Sequence, residues 1–221
     1  MSDYPALPPT LPIFPLPGAL LLPHGRLPLN IFEPRYLNMV EDALGQSRLI
    51  GMIQPRLVQP DPVDSAAGLY DVGCVGRIIT FSETHDGRFL ITLAGMQRFR
   101  IAEEVPTTRG YRRIIADYQG FEADMAEDSS EIQDRDRLEA AMKAYFEAKA
   151  IEVDWESVSQ ADDESLITSL SMISPFDAPE KQALLESVSL QERAGLLCTL
   201  FEMDLHEPGG DDESDGEAPL H

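Results

Sequence analysis

The sequence predicts an α+β protein, in which a β-rich N-terminal part with one helix precedes a part built from α-helices. Three observations predict this class. Proline is dense between residues 5 and 28, short apolar runs with a period of two recur up to about residue 120, and the apolar period changes to 3.6 after about residue 131. Because proline cannot donate to a strand ladder, the first strands should be short or at a sheet edge.

The first elements follow from local patterns. Apolar residues alternate with Pro28 and Asn30 through residues 27–31, which predicts a strand with one buried face. A helix should run from Pro34 to Leu44, because proline suits the first helical turn and an apolar stripe follows it. Gly45 is placed to end this helix. Residues 49–53 form the next predicted strand.

The second half of the β-rich part is predicted as a hairpin and a closing strand. Residues 70–83 form a long β run, and Asp86-Gly87 indicates a type I′ turn, in which both central residues have positive φ. Gly95 suggests a bulge in the returning strand. Residues 111–118 close a set of six or seven strands, which indicates a small, strongly bent sheet or barrel.

The returning strand should have one buried and one wet face. Phe99 and Ile101 alternate with Arg98 and Arg100, so the two aromatic or aliphatic side chains are expected in the core and the two arginines in water.

Helices are expected after residue 136. Residues 131–150 and 163–174 carry apolar residues at helical spacing, and two capping boxes follow, Asp177 with Glu180 and Ser189 with Glu192. The last helix should span about 190–205. We therefore divide the chain into a β-barrel-like domain (1–120), an acidic linker (121–136), a helical bundle (137–205) and an acidic disordered tail (206–221).

Charge is distributed unevenly along the chain, whose formal net charge is -22. Residues 1–120 hold 12 acidic and 11 basic residues, whereas residues 121–221 hold 27 acidic and 6 basic residues. Such an acidic half repels nucleic acid and anionic lipid, and its simplest role is solubility. With two separate cysteines, no apolar run long enough for a membrane span and no secretory signal, we expect a cytoplasmic protein.

Four ordered blocks of the sequence resemble the N-terminal substrate-binding domain of Lon proteases. Residues 11–44 contain LPLNIFEPRY, residues 72–78 read VGCVGRI, residues 87–101 read GRFLITLAGMQRFRI, and residues 174–197 contain EKQALLE. Each block is weak alone, but their joint order is specific, and the resemblance covers nearly all of residues 11–205.

The resemblance implies a PUA-like β-barrel followed by a helical bundle that engages exposed or unfolded segments of substrate proteins. Full-length relatives add an ATPase and a peptidase module. The sequence printed here contains no G-x-x-x-x-G-K-[ST] loop for a triphosphate, so we expect a stand-alone, non-catalytic binding protein. A separate ATPase or protease is an expected partner, and association with a second copy of the chain is left open.

The IFEPRY segment supplies the candidate peptide-binding residues Phe32, Glu33, Arg35 and Tyr36. Each also has a local structural interpretation, which we weigh as the stronger one. Glu33 should cap the following helix, Arg35 should pair with a strand carboxylate, and Phe32 and Tyr36 should pack the helix on the barrel.

No catalytic, cofactor-binding or metal-binding residues are predicted. The four histidines lack ligand spacing, Cys74 lies within a predicted strand and resembles a core residue, and the serines of residues 165–174 have no neighbouring base.

Two alternatives stay open: an RNA-binding PUA-like module and an uncharacterised hydrolase. Arginines in the β-rich part favour the first. They are Arg77, Arg88, Arg98, Arg100, Arg112 and Arg113. The near-neutral charge of that part makes nucleic acid an improbable partner, and cross-strand ion pairs explain the arginines more simply.

Overall fold

A computed structural model describes residues 7–56, 68–106, 109–126 and 128–206, and it confirms the α+β class. The strands are β1 (Thr10–Pro15), β2 (Arg26–Ile31), β3 (Leu49–Ile53), β4 (Val72–Glu83), β5 (Phe89–Val105) and β6 (Arg112–Asp117). The helices are α1 (Pro34–Leu44), α2 (Arg135–Ala148), α3 (Trp155–Gln160), α4 (Asp163–Ile173), α5 (Ala178–Glu186) and α6 (Leu190–His206), with a 3₁₀ turn at Glu122–Met125.

The strands form one sheet that closes on itself. Their order is β2-β5-β4-β3-β1-β6, and β5 also pairs with β6, so five strands form a ring and β2 extends outside it. The 17-residue length of β5 makes this possible, because its first half pairs with β2 and its second half with β6. The strongly bent sheet was predicted, whereas the PUA-like assignment stays an expectation of the resemblance.

The interior of the ring is filled around Phe99, which is completely buried. Gly51 and Gly73 leave room for its ring, because a Cβ at either position would come within 3.0 Å or less of the Phe99 side chain. Both positions therefore need glycine for close packing rather than for backbone freedom. The buried apolar cluster around Phe99 contains residues from β1, β3, β4, β5 and β6.

A second apolar cluster runs without interruption from the sheet into the helices. It contains Phe14 and Leu93 of the sheet as well as Tyr145 and Phe201 of the helices. Polar side chains reinforce this junction by donating to main-chain carbonyls across it. Gln54 Nε2 donates to Ala178 O at 3.2 Å, and Lys181 Nζ donates to Gly18 O at 2.6 Å.

The prediction that Arg98 faces water was wrong. Its side chain is buried, and its guanidinium forms a bidentate pair with Asp124 of the 3₁₀ turn at 2.7 and 2.8 Å. The same group donates to Leu185 O and Ser187 O at the end of α5. Alternation along a strand did not anticipate this burial, because the covering segments come from far along the chain. Arg100 is exposed as predicted.

The hairpin between β4 and β5 is present, but its predicted turn type was wrong. Gly87 has φ of +78°, whereas Asp86 does not have positive φ. The backbone N–H of Gly87 donates to Thr84 O, and that of Thr84 donates to Arg88 O. The loop therefore has three residues, a type I turn followed by a left-handed glycine, which is the next most common hairpin connection. Gly95 lies at the predicted bulge, where the β4–β5 register shifts.

Local helix signals fared well. The α1 helix has the predicted bounds, and both hydrogen bonds of the capping box formed by Asp177 and Glu180 are present. At α6, Ser189 accepts from the N–H of Glu192 as predicted, but the Glu192 carboxylate accepts from Val188 rather than from the cap residue. The division into domains stays a prediction, and residues 207–221 of the predicted tail lie outside the described residues.

Candidate functional site: a sheet platform beside a charged groove

Three adjacent strands present a solvent-facing side built from three rows of residues in register. The rows run across β2, β5 and β4 and pass through Leu90, Thr92 and Ala94 of the central strand. They are Asn30-Leu90-Ser82, Pro28-Thr92-Thr80 and Arg26-Ala94-Arg77. We call these nine residues the platform. Each is exposed or half-buried, so this face has no cover among the described residues.

The platform side chains face solvent because side chains along a strand alternate between the two faces of the sheet. On the opposite face, Ile78, Ile91 and Leu93 are each buried to 2% exposure or less, and this burial fixes the register of β4 and β5. The outer side chains therefore have to face solvent. Among them Leu90 is 45% exposed, and Ile79, the extra residue of the second register shift in β4, is 42% exposed. The open face thus combines apolar and hydrogen-bonding side chains.

A groove of about 1040 Å³ opens at the arginine row of the platform. Arg26, Arg77, Ile79 and Ala94 line its sheet side, and residues 128–132 and 162–165 line its helical side. Met96 and Met125 add apolar lining where the 3₁₀ turn packs on β5. The groove therefore lies between the sheet and the helices, with the platform leading into it.

Acidic side chains on the helical side are largely engaged by nearby N–H and O–H groups. Asp162 caps α4 by accepting from the N–H of Ser165 at 2.8 Å, and this bond lowers the pKa of its carboxyl. Hydrogen bonds from the hydroxyl and N–H of Ser130 likewise lower the pKa of Asp128. These carboxylates thus stabilise the loops that carry them.

Glu164 differs from these neighbours because burial raises the pKa of its carboxyl. It accepts from the N–H of Asp128 at 3.1 Å and lies 3.9 Å from Nε2 of His24. His24 Nε2 also lies 3.2 Å from Ala126 O, so this side chain bridges the loop before β2 and the acidic segment.

The two arginines on the sheet side have no such partners. Within the part of the chain that the structure describes, neither Arg26 nor Arg77 has a carboxylate within 4.0 Å, and neither side chain donates a hydrogen bond. Among the other arginines, Arg112 forms a cross-strand ion pair with Glu104, as the sequence suggested. Arg88 instead pairs with Asp86 two residues away, and Arg98 pairs with Asp124 of the 3₁₀ turn. The groove therefore combines engaged carboxylates with two unengaged guanidinium groups.

Of the four residues predicted from the IFEPRY segment, Arg35 contacts both Glu33 and Tyr36, whereas Phe32 lies beside Arg88. Tyr36 is buried, with its ring 4.2 Å from that of Phe14, as expected for packing. Phe32 was expected to pack on the barrel, but it is 54% exposed and its ring lies 5.9 Å from the guanidinium of Arg88. None of the four lines the groove. Their predicted role in peptide binding stays a prediction.

The predicted cap by Glu33 was also wrong. Glu33 occupies the N-cap of α1 but makes no side-chain capping bond. Its carboxylate instead accepts from Nε and Nη2 of Arg35, at 3.0 and 2.8 Å. This ion pair between residues two apart takes the place of the predicted cap.

Groups suited to nucleophilic or metal chemistry are not assembled in the described part. Cys74 is buried, and desolvation raises the pKa of its thiol, which disfavours a reactive thiolate. No cluster of His, Cys, Asp or Glu with the makings of a metal site occurs in residues 7–56, 68–106, 109–126 and 128–206. No helix in those ranges has the length and apolar character needed to cross a membrane.

Sequence reasoning missed the platform and the groove. Arg77 was noted only as support for RNA binding, and Arg26 was not singled out. One signal was present: the period of two in residues 26–31 places Arg26, Pro28 and Asn30 on one outward face. The pairing that adds Ala94 and Arg77 to the same row depends on sheet register, which no local pattern reveals.

Curated relatives match this chain along most of its length. It is 30% identical over 208 residues to Lon protease 2 of Myxococcus xanthus and 28% identical over 207 residues to Lon protease of Anaeromyxobacter dehalogenans. Each alignment covers 88% of this chain but only 24% and 23% of the relative. The chain therefore spans about a quarter of the length of these curated relatives.

Solved structures support the same relationship at the level of the fold. A Lon N-terminal domain protein from Xanthomonas campestris has a TM-score of 0.58 at 19% identity, covering 90% of this chain and 99% of that chain. The N-terminal domain of a Mycobacterium avium complex Lon protease has a TM-score of 0.60 at 15% identity, covering 87% and 98%.

The family model for the ATP-dependent protease La (LON) substrate-binding domain matches residues 10–202, which include the platform, the groove and the IFEPRY segment. This protein therefore belongs to the LON substrate-binding domain family.

Proposed function

We propose that this protein is a non-catalytic module that binds exposed or unfolded protein segments on the platform and in the groove next to it. The observation that carries the proposal is an uncovered sheet face with exposed apolar side chains that leads into a charged groove. Extended chains present both apolar side chains and main-chain polar groups, and this combination of surfaces complements them.

Binding across the face is favoured over addition of a strand at the edge. Among the described strands, β2 pairs only with β5 and is therefore an edge of the sheet. Pro28 in its middle lacks an N–H, and proline on an edge strand discourages a further strand from pairing there. Leu90 on the platform and Ile79 at the groove instead offer exposed apolar contacts.

Family membership supports a role in substrate recognition, and the chemistry of the described residues supports a role without catalysis. The family model that matches is that of the substrate-binding domain, and the sequence lacks a phosphate-binding loop of the Walker type. A non-catalytic binding module needs a partner enzyme that acts on the protein segment it holds. We therefore propose an ATPase or protease on a separate chain as its partner.

A permanently unfolded protein tests the proposal. The probe is a fluorescently labelled protein whose cysteines are reduced and blocked with iodoacetamide, and its binding is followed by fluorescence anisotropy against the same protein in folded form. We expect binding of the unfolded form alone. Leu90→Gln and Ile79→Gln should each weaken it several-fold, because each removes an exposed apolar contact.

Val188→Gln provides the matched control, since Val188 is 83% exposed in the loop before α6 and lies outside the platform and the groove. It should leave binding unchanged. Equal effects of all three substitutions, or no binding of the unfolded probe, would contradict the proposal.

A further inference from the structure

The geometry points to the row Arg26-Ala94-Arg77 as a carboxylate-binding subsite that receives the free carboxyl end of a bound protein segment. This inference rests on the proposed function and names the chemical group that the groove selects. It is carried by the register of the row, by the lack of partners for both arginines, and by the way the sheet is covered beyond this row.

Register places the two arginines on opposite sides of one small residue. Ala94 is paired with Arg26 on β2 and with Arg77 on β4. Neighbouring strands lie about 4.8 Å apart, so the two arginine Cα atoms are separated by about 10 Å. Both side chains line the groove, and the methyl group of Ala94 leaves the space between them open. One carboxylate in that space is within reach of both guanidinium groups.

The unengaged state of these arginines is what a ligand site requires. Arg98, four residues along β5 from Ala94, donates to a carboxylate and to two carbonyls. Arg26 and Arg77 have no carboxylate within 4.0 Å among the described residues. Guanidinium groups match carboxylates in shape and charge, and such charge-assisted bonds are among the stronger ones in proteins.

The residues that cover β5 beyond the row favour binding of a C-terminal carboxylate over binding of a side-chain carboxylate within a segment. Going along the platform side of β5, Leu90 is exposed, Ala94 is half-buried and Met96 is buried. Immediately beyond the row, Met96 belongs to the buried cluster inside the ring and Met125 of the 3₁₀ turn packs against that cluster, so these two side chains form a wall. A segment that follows the platform towards the groove therefore meets this wall just after the arginine row.

Three forms of one peptide test the assignment. The probe is a short acetylated peptide of alternating Leu and Thr with a free carboxyl end, compared with its amidated form and with an amidated form that has one internal Glu. We expect the free end to bind at least about tenfold more tightly than the amide, because only it offers a carboxylate at the row. Arg26→Gln and Arg77→Gln should each abolish that preference, so that the free-end and amidated peptides bind each variant equally.

Arg113→Gln is the matched control, because it removes the same charge from β6, outside the groove. It should leave the preference intact. Equal binding of the free-end and amidated peptides would overturn the inference while leaving the proposed function in place. If the peptide with an internal Glu binds as tightly as the free end, the assignment to a chain end is overturned.

A second measurement does not depend on peptide binding. Thermal unfolding is followed with rising concentrations of N-acetyl-leucine or of N-acetyl-leucine amide. We expect the acid, and not the amide, to raise the Tm of the unmodified protein, and Arg26→Gln to remove this difference. If no peptide form binds but the acid still stabilises the protein, the proposed function fails and the subsite remains. If the two small ligands act alike, the subsite is overturned.

Discussion

Arginines in two neighbouring regions of the sheet differ in burial and in their hydrogen-bond partners. Arg98 is buried, and its guanidinium is used by Asp124 and by the carbonyls of Leu185 and Ser187. Arg26 and Arg77 face the groove without a carboxylate partner among the described residues. The comparison teaches that an arginine on this sheet stabilises the junction where helices cover it and remains available for a ligand where they do not.

The largest effect should come from removing the charge that Arg98 needs. Asp124→Asn leaves a buried guanidinium without its carboxylate, and we expect the free energy of unfolding to fall by about 3–5 kcal/mol. Urea unfolding measures it. Arg100→Gln, at an exposed neighbouring position, should cost no more than about 0.5 kcal/mol. A loss below about 1 kcal/mol for Asp124→Asn would show that the pair does not hold the junction.

The boundary between the two regions should be nearly as sensitive. Gly95→Ala puts a methyl group against Leu22 O, and overpacking against backbone should lower the free energy of unfolding by about 1–3 kcal/mol. Gly195→Ala is the control, because a Cβ there meets nothing within 4 Å and alanine favours the helix. That substitution should be neutral or stabilising. Similar unfolding midpoints for both variants would contradict the close packing of Leu22 against Gly95.

A carboxylate introduced by substitution between Arg26 and Arg77 should affect peptide binding rather than the stability of the protein. Ala94→Glu places a carboxylate between Arg26 and Arg77, and we expect it to weaken binding of the free-end peptide by about tenfold. Ala94→Gln has nearly the same size but no charge, so it separates blocking by volume from blocking by charge. Fluorescence anisotropy measures both. The comparison breaks if the glutamine variant loses as much binding as the glutamate variant.

The smallest effect should be a dependence on pH at Glu164. Burial raises the pKa of this carboxyl, so its ionisation costs stability above its folded-state pKa, and the cost disappears below its unfolded-state pKa. Glu164→Gln should therefore raise the Tm at pH 7, by an amount on the order of 1 °C because solvent screens the site.

The facing groups His24, Asp128 and Asp162 modulate the titration of Glu164 and remain in the variant. Thermal scans should show the gain shrinking as the pH falls below the usual range for glutamate. A gain that stays constant from pH 7 to pH 4 would show that the effect has another origin.

Local chemistry predicted the parts of the fold that depend on neighbours in sequence. The bounds of α1 followed from Pro34 and Gly45, and the capping box at α5 followed from Asp177 and Glu180. The burial of Arg98 did not follow, because its acceptors lie between 26 and 89 residues away.

The candidate site was hidden for the same reason. The exposed face of β2 was visible as alternation, but its meeting with Arg77 needs the β4–β5 register, which includes two irregularities. Phe32 was interpreted as packing because it adjoins a helix, whereas the structure leaves it beside Arg88 in solvent. Sequence patterns therefore predicted single helices and strands. The groove could not be predicted in this way, because it forms where elements distant in sequence pack together.

The hydrogen bonds that join the β-rich part to α5 share a chemical asymmetry among the described residues. The donors are side chains, including Gln54, Lys181 and Gln182, whereas the acceptors are main-chain carbonyls. Every amino acid supplies the same main-chain carbonyl. Substitutions at the accepting positions therefore leave these hydrogen bonds in place. Pairwise covariation between the halves should therefore be faint, and mutational constraint should be concentrated at the donating positions.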